Sequence, residues 1–429
     1  MKTLLNTAVA VLLLILGAAC SKTEKTDLLD LVGNDVTLVA RVNIDDILAN
    51  QDVTVDDLSN NPIGLSPLPS DANCSSLLYM AYPDDMKALV GVLKNPADAI
   101  DALKKSGEMS KVDDLTVFDC GDKAILVVDE KTALIWGIDA DDATAAVRLV
   151  KAMQNAAATP LAPWKRSYIT EAGDIGAIIS VDNKTYGLKG GFDKNKVHLT
   201  ANAFEQDGKL FNIVEGVEYA TLGQCGYDIA ADANILMLYG KIDPEKFNER
   251  IMSLIPEKYN NELLLRSLSA NNSTAQMALF ANVNARSIYN MKDIKALLTA
   301  DFLTPDAATE YMDQMLLMAK GIGAKVTCDG AEAVVSMPSL FSAVMVAKDN
   351  VVSINLNNAD FTARKPLPAS AADAIMWLHV GVDKTLMAML LPAGNVSGVE
   401  LDIYLRPESF DIDVELTDST RTILQLLKR

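Results

Sequence analysis

Thr37-Leu38-Val39-Ala40-Arg41-Val42-Asn43-Ile44-Asp45-Asp46-Ile47-Leu48 reads as an apolar, partly β-branched strand that stops at an asparagine and restarts as a short amphipathic helix. The pattern recurs 241 residues on, at Ala278-Leu279-Phe280-Ala281-Asn282-Val283-Asn284-Ala285-Arg286-Ser287-Ile288-Tyr289. The same offset relates Ala133-Leu134-Ile135-Trp136 to Ala374-Ile375-Met376-Trp377, and Asp142 and Asp383 each follow their tryptophan by six residues. Two matches at one offset predict a tandem duplication, with Trp136 and Trp377 as matching core anchors. Ile235 to Pro244 follows the pattern again, with Asp243 as helix cap and Pro244 in the first turn.

Between these units, Asp129-Glu130-Lys131, Asp207-Gly208, Asp329-Gly330 and Lys348-Asp349-Asn350 join apolar runs with turn chemistry. Hairpins imply antiparallel neighbours. The expected class is therefore α+β: two related halves of mainly antiparallel sheet, with short helices packed on one face. The expected division is a signal peptide over 1–19, a lipidated tether over 20–30, and halves over 31–220 and 221–429. Ala156 to Pro163 and Arg364 to Ser370 read as internal breaks, and Ser419 to Arg429 as a docking helix.

The chain opens with one basic residue, Lys2, then an apolar run from Leu4 to Ala19, then Cys20 and a polar stretch from Ser21. That is a secretory signal, and its apolar run falls short of the ~20 residues of a spanning helix. Leu16-Gly17-Ala18-Ala19-Cys20 resembles a bacterial lipobox, in which the thiol of the new N-terminal cysteine carries acyl chains. It departs from that motif at Gly17, where an aliphatic residue is usual; Leu16 stands one step earlier. The resemblance implies a membrane held through a lipid on Cys20, and Ser21, in place of a retention aspartate, implies sorting to the outer membrane. An ordinary signal cut after Ala19 is the alternative.

Half of the 429 residues are hydrophobic, 22% are charged and the formal charge is -19, so two cores are affordable and nucleic acid is a poor partner. Outside the leader, Cys74, Cys120, Cys225 and Cys328 permit two disulfides. Pairing Cys74 with Cys120 and Cys225 with Cys328 keeps each bridge within one half; four free thiols are the alternative.

No sequence signature of catalysis stands out. His198 and His379 belong to no metal or triad motif, and no GxSxG or phosphate loop is present. Asp139, Asp141 and Asp142 start like a calcium loop but read as a strand end and helix cap. Glu400 and Asp402 alternate with apolar residues, as do Asp411, Asp413 and Glu415 on a return strand, which predicts two acidic rows on one face. Water or a Ca2+ ion would have to screen them. Trp164, beside Lys165 and Arg166, is a candidate recognition tip. Met312, Met315 and Met318 read as a core stripe first and a partner groove second.

The leader, the strand and helix from Asp35 to Leu48 and the echo at Ala278 to Tyr289 resemble uncharacterised envelope lipoproteins of anaerobic Gram-negative gut bacteria. The resemblance implies a lipid-anchored outer-membrane or periplasmic protein and supplies no site residues. The leading expectation is a non-enzymatic interaction or scaffold protein with a protein partner in the envelope and no cofactor. Glycan or cation capture comes second, and a hydrolase built from carboxylates third.

Overall fold

A computed structural model describes residues 27–52, 74–83, 86–104, 108–120, 124–154, 160–256, 274–338, 340–390, 398–417 and 422–427. The leader and Cys20 lie outside them. The chain divides into two compact units between Leu210 and Phe211, earlier than the boundary at 220 expected from sequence, and the segment from Arg421 onward belongs to the first unit.

The first unit is built on strands β1 (Leu38–Val42), β2 (Cys74–Ala81), β3 (Lys87–Leu93), β4 (Glu108–Val112), β5 (Leu115–Asp119), β6 (Ala124–Asp129), β7 (Leu134–Asp139), β8 (Ile175–Val181), β9 (Lys184–Asp193) and β10 (Lys196–Phe204). All neighbours are antiparallel, in the order 4-5-6-7-3-2-1-8-9-10. Helices α1 (Ile44–Gln51), α2 (Pro96–Leu103), α3 (Ala143–Gln154) and α4 (Pro163–Thr170) complete it. Alternation along β1 sends Leu38, Ala40 and Val42 towards α1 and α2. Val39 goes the other way, joining Met80, Val90 and Trp136 under α3 and α4. The sheet is thus covered on both faces, not on one as the hairpin pattern suggested. Double coverage explains why Leu134-Ile135-Trp136 is an unbroken buried run. Close packing of α4 depends on Gly187, where an added Cβ would lie 2.5 Å from the Tyr168 ring.

The fold begins earlier than the expected tether allowed. Asp27 accepts a hydrogen bond from Leu29 N, and Leu28, Leu29 and Leu31 form a buried 3-10 turn that joins the α3 and α4 core. At the other end of the chain, the short helix Ile423–Leu427 docks where the sequence asked for a docking helix, and it docks on α1. Its Leu424 enters the α1 core. Gln51, 0% exposed, holds it: Thr422 Oγ1 donates to the Gln51 carbonyl, and Leu424 N donates to Gln51 Oε1 at 3.0 Å.

In the second unit the main strands are β12 (Ile235–Tyr239), β13 (Thr274–Asn282), β14 (Lys295–Phe302), β15 (Lys325–Asp329), β16 (Glu332–Met337), β17 (Phe341–Lys348), β18 (Val351–Leu356), β20 (Met376–Val382), β21 (Gly398–Leu405) and β22 (Phe410–Thr417). Their order is 15-16-17-18-14-13-12-20-21-22, again wholly antiparallel. Strand for strand, this is the order of the first unit. A separate pair, β11 (Asp228–Ala230) with β19 (Arg364–Pro366), is added. The helices are α5 (Leu222–Cys225), α6 (Pro244–Leu254), α7 (Pro305–Gly321) and α8 (Lys384–Leu390). Asp243 caps α6 as expected, α6 follows β12 as α1 follows β1, and α7 follows β14 as α2 follows β3.

The topology corrects the offset of 241. Leu38 and Ile235 open equivalent strands 197 residues apart, and Ala124 of β6 and Phe341 of β17 differ by 217. The offset of 241 matches β1 with β13 and β7 with β20, each displaced from its counterpart. Trp136 and Trp377 therefore occupy different places. Strands share one period, so sliding a comparison along to another strand still aligns apolar residues.

The units differ in one helix. Residues 357–375 contain only a 3-10 turn, Ala369–Ala371, and no counterpart of α3 to cover the outer strands of the second sheet. By strand register, Thr299, Ser353, Asn355 and Glu332 stand where the first unit has Val90, Trp136, Ile138 and Val117. Loss of the cover is matched by polar side chains. On the opposite face α7 buries Ala308, Met312 and Leu316 against the sheet, while Met318 stays exposed. The left-handed residue after this helix is Gly323.

Candidate functional site

The densest polar arrangement among the described residues lies on β20, β21 and β22. Arg406 N donates to Ser409 O, closing the β21 and β22 hairpin at the expected turn. The register sets Trp377, Tyr404 and Asp411 in one row, His379, Asp402 and Asp413 in the next, and Gly381, Glu400 and Glu415 in the third. The two acidic rows do share a face.

Asp402 and Asp411 accept from the protein's own donors. Trp377 Nε1 donates to Asp402 Oδ1 at 2.8 Å, and His379 Nδ1 lies 2.9 Å from the same oxygen. A carboxylate only accepts, so Nδ1 carries the proton and Nε2 turns towards Gly381, where an added Cβ would approach it to 3.3 Å. One row along, Arg406 pairs with Asp411 through Nη1, donates from Nε to Asp373 at 3.0 Å, and reaches the Ser370 carbonyl at 2.7 Å. Its guanidinium lies over the Tyr404 ring, and Ser409 Oγ donates to Asp411 at 2.8 Å. Burial opposes the Arg406 charge, but the hydrogen bond to Asp373 and the charges of Asp411 and Asp373 raise its proton affinity overall.

The histidine has an orienting carboxylate but the described contacts bring no hydroxyl or thiol nucleophile to it. Among the described residues no group of three or more His, Cys, Asp or Glu side chains is arranged to hold a metal. Arg406→Met should cost about 2 kcal/mol by leaving Asp411, 4% exposed, without its cation. Urea unfolding measures this, and a loss below about 0.5 kcal/mol would show the network to be dispensable.

The remaining sequence candidates scatter. Trp164 is in the first turn of α4, not in a break, and its half-buried ring packs 4.9 Å from Phe204 and against Gly208. His198 is exposed on β10, with Nε2 2.9 Å from Thr200 Oγ1. Asp142 caps α3 and Asp383 caps α8. The Asp207-Gly208 turn leads only to an isolated bridge between Phe204 and Leu210, so the hairpin expected there has no return strand.

None of the four described cysteines is disulfide-bonded, and the strand order keeps the members of each expected pair apart. Cys74 in β2 and Cys120, just after β5, are separated by the order 2-3-7-6-5, about 19 Å at normal strand spacing. Cys328 is on the edge strand β15, six strands from β12, whereas Cys225 Sγ accepts from Lys241 N beyond the end of β12. A disulfide needs its Cα atoms within ~7 Å. Cys74 is also poorly reactive: burial, with Lys94 opposing, pushes its thiol up to about 12.

Sequence reading missed Arg406, Asp373 and Gln51 as organising residues. Only the pairing of His379 with Asp402 had a usable signal, since both belong to alternating strands of one predicted sheet. Among the described residues no helix is long and apolar enough to cross a membrane. No protein-family model, curated protein or solved structure matches the chain.

Proposed function

We propose that this chain is an envelope lipoprotein, anchored to the outer membrane through Cys20, that acts as a non-enzymatic interaction or scaffold protein. The observation that carries the anchoring is the apolar leader Leu4 to Ala19 closing on Cys20. The scaffold role is supported by polar clusters whose donors and acceptors satisfy one another, as at Asp402 and Arg406. The matching order of two ten-stranded sheets supports descent of both units from one ancestral unit. Its strand equivalences, not the offset of 241, are the basis for that descent.

Cys20→Ala is expected to move the protein from the membrane pellet to the soluble extracytoplasmic fraction and to abolish labelling by an alkynyl palmitate analogue. A variant that still pellets and still labels would refute the anchor. Crosslinking in intact envelopes should recover a reproducible protein partner; recovery of none would remove the scaffold role while leaving the anchor intact.

A further inference from the structure

The outer edge of the second sheet is β15, a strand of five residues that pairs only with β16 among the described residues. Its hairpin to β16 turns through Gly330 and Ala331, so Asp329 and Glu332 form a hydrogen-bonded pair. Alternation then turns the backbone groups of Lys325, Thr327 and Asp329 towards β16 and leaves those of Val326 and Cys328 pointing off the edge. The side chains of Lys325, Thr327 and Asp329 share one exposed face. On that face Asp329 stands directly opposite Glu332, and like charges so placed cost stability. Among the described residues neither acid forms an ion pair, and nor does Lys325.

We propose that β15 pairs antiparallel with β15 of a second copy of the chain, about a two-fold axis through Thr327. Adjacent antiparallel pairs alternate between hydrogen-bonded and open, so such an axis must pass through a residue that faces itself. Centred on Thr327, Val326 of each copy meets Cys328 of the other, and the outward N–H and C=O groups of both residues find partners. On the exposed face Lys325 of each copy meets Asp329 of the other, beside Glu332, and threonine meets threonine. Centring on Val326 or on Cys328 instead sets Lys325 or Asp329 against Thr327 and leaves the charges unmatched. Charge complementarity thus selects both the occupant and its register. The equivalent edge of the first unit lacks it. On β4, Glu108 and Lys111 are an odd number of residues apart and cannot face each other across a two-fold axis, and Lys111 Nζ already lies 3.8 Å from Glu130. Pairing through β15 is independent of the Cys20 anchor and of any further envelope partner.

The full chain in a density-matched detergent is followed by sedimentation equilibrium. The expected result is an equilibrium between monomer and dimer, weakened about tenfold by Lys325→Asp and restored when Asp329→Lys is added. Restoration separates a contact between copies from a loss within one, and unchanged melting checks that each variant folds. Register has its own readout. Residues facing each other in an open antiparallel pair have Cα atoms ~4.5 Å apart, so Thr327→Cys, made in a Cys328→Ser background, should be closed to a disulfide dimer by copper phenanthroline in air. Cys328 of the two copies would lie ~8 Å apart, two residues along and one strand over, and should not be. A parent that stays monomeric overturns the proposal, as does a dimer indifferent to Lys325→Asp or a double variant as weak as the single one. Failure of Thr327→Cys to crosslink, or crosslinking through the native Cys328, overturns the register and the pairing with it.

Discussion

Truncation of the chain before Arg421 is expected to destabilise the first unit by about 3 kcal/mol. The deletion removes Leu424 from the core beneath α1, an effect of the size of a large-to-small core substitution. It also strips Gln51, fully buried in the intact chain, of two partners, Thr422 Oγ1 and Leu424 N, whose places water can take once the segment is gone. Gln51 Nε2 still has the Asp193 carbonyl, so the loss is partial and the side chain stays oriented. Hydrogen exchange by mass spectrometry tests this region by region. Faster exchange should be confined to β1, α1 and β9, with β12 and α6 unchanged. Equal protection with and without the segment would show that the docking contributes nothing.

Trp136→Ala is expected to cost about 4 kcal/mol, the range for emptying a large aromatic site. Trp136 is 0% exposed at the centre of β7, packed between β3 and β6 beneath α3. Its indole Nε1 meets no acceptor among the described residues. Trp136→Phe therefore gives up volume but no hydrogen bond, and should cost less than half as much as the alanine change. Chemical denaturation followed by hydrogen exchange of β7 separates the two. If phenylalanine proves as damaging as alanine, the indole N–H has an acceptor outside these residues and the explanation by volume fails.

The class and the hairpins were legible in the sequence because turn chemistry and period-two alternation are local. Asp329-Gly330 and Lys348-Asp349-Asn350 do join paired strands, and Asp243 does cap its helix. A recurring strand-and-helix pattern was legible too, but not which strands it relates. The offset of 241 rested on apolar residues that any strand supplies, whereas the true equivalence is carried by pairing order, which no local signal records. Coverage on both faces was hidden for a related reason: α3 and α4 return to the sheet over long stretches of chain, and their apolar stripes do not name the face they meet. Of the site, the shared acidic face followed from alternation alone. What it does with its charge depended on Arg406 and Asp373, residues 33 positions apart that only the fold brings together.

The exchange of a terminal segment has a consequence in time. Synthesis proceeds from the amino end, yet the first unit takes its final helix from residues 422–427. Its strands can pair as they emerge, but α1 must wait, with Gln51 and its apolar neighbours uncovered, while the whole second unit is made and delivered. The earliest part of the protein to leave the ribosome is thus among the last to be finished. A chain that stops just after β22 would leave every strand in place and yet never complete its beginning.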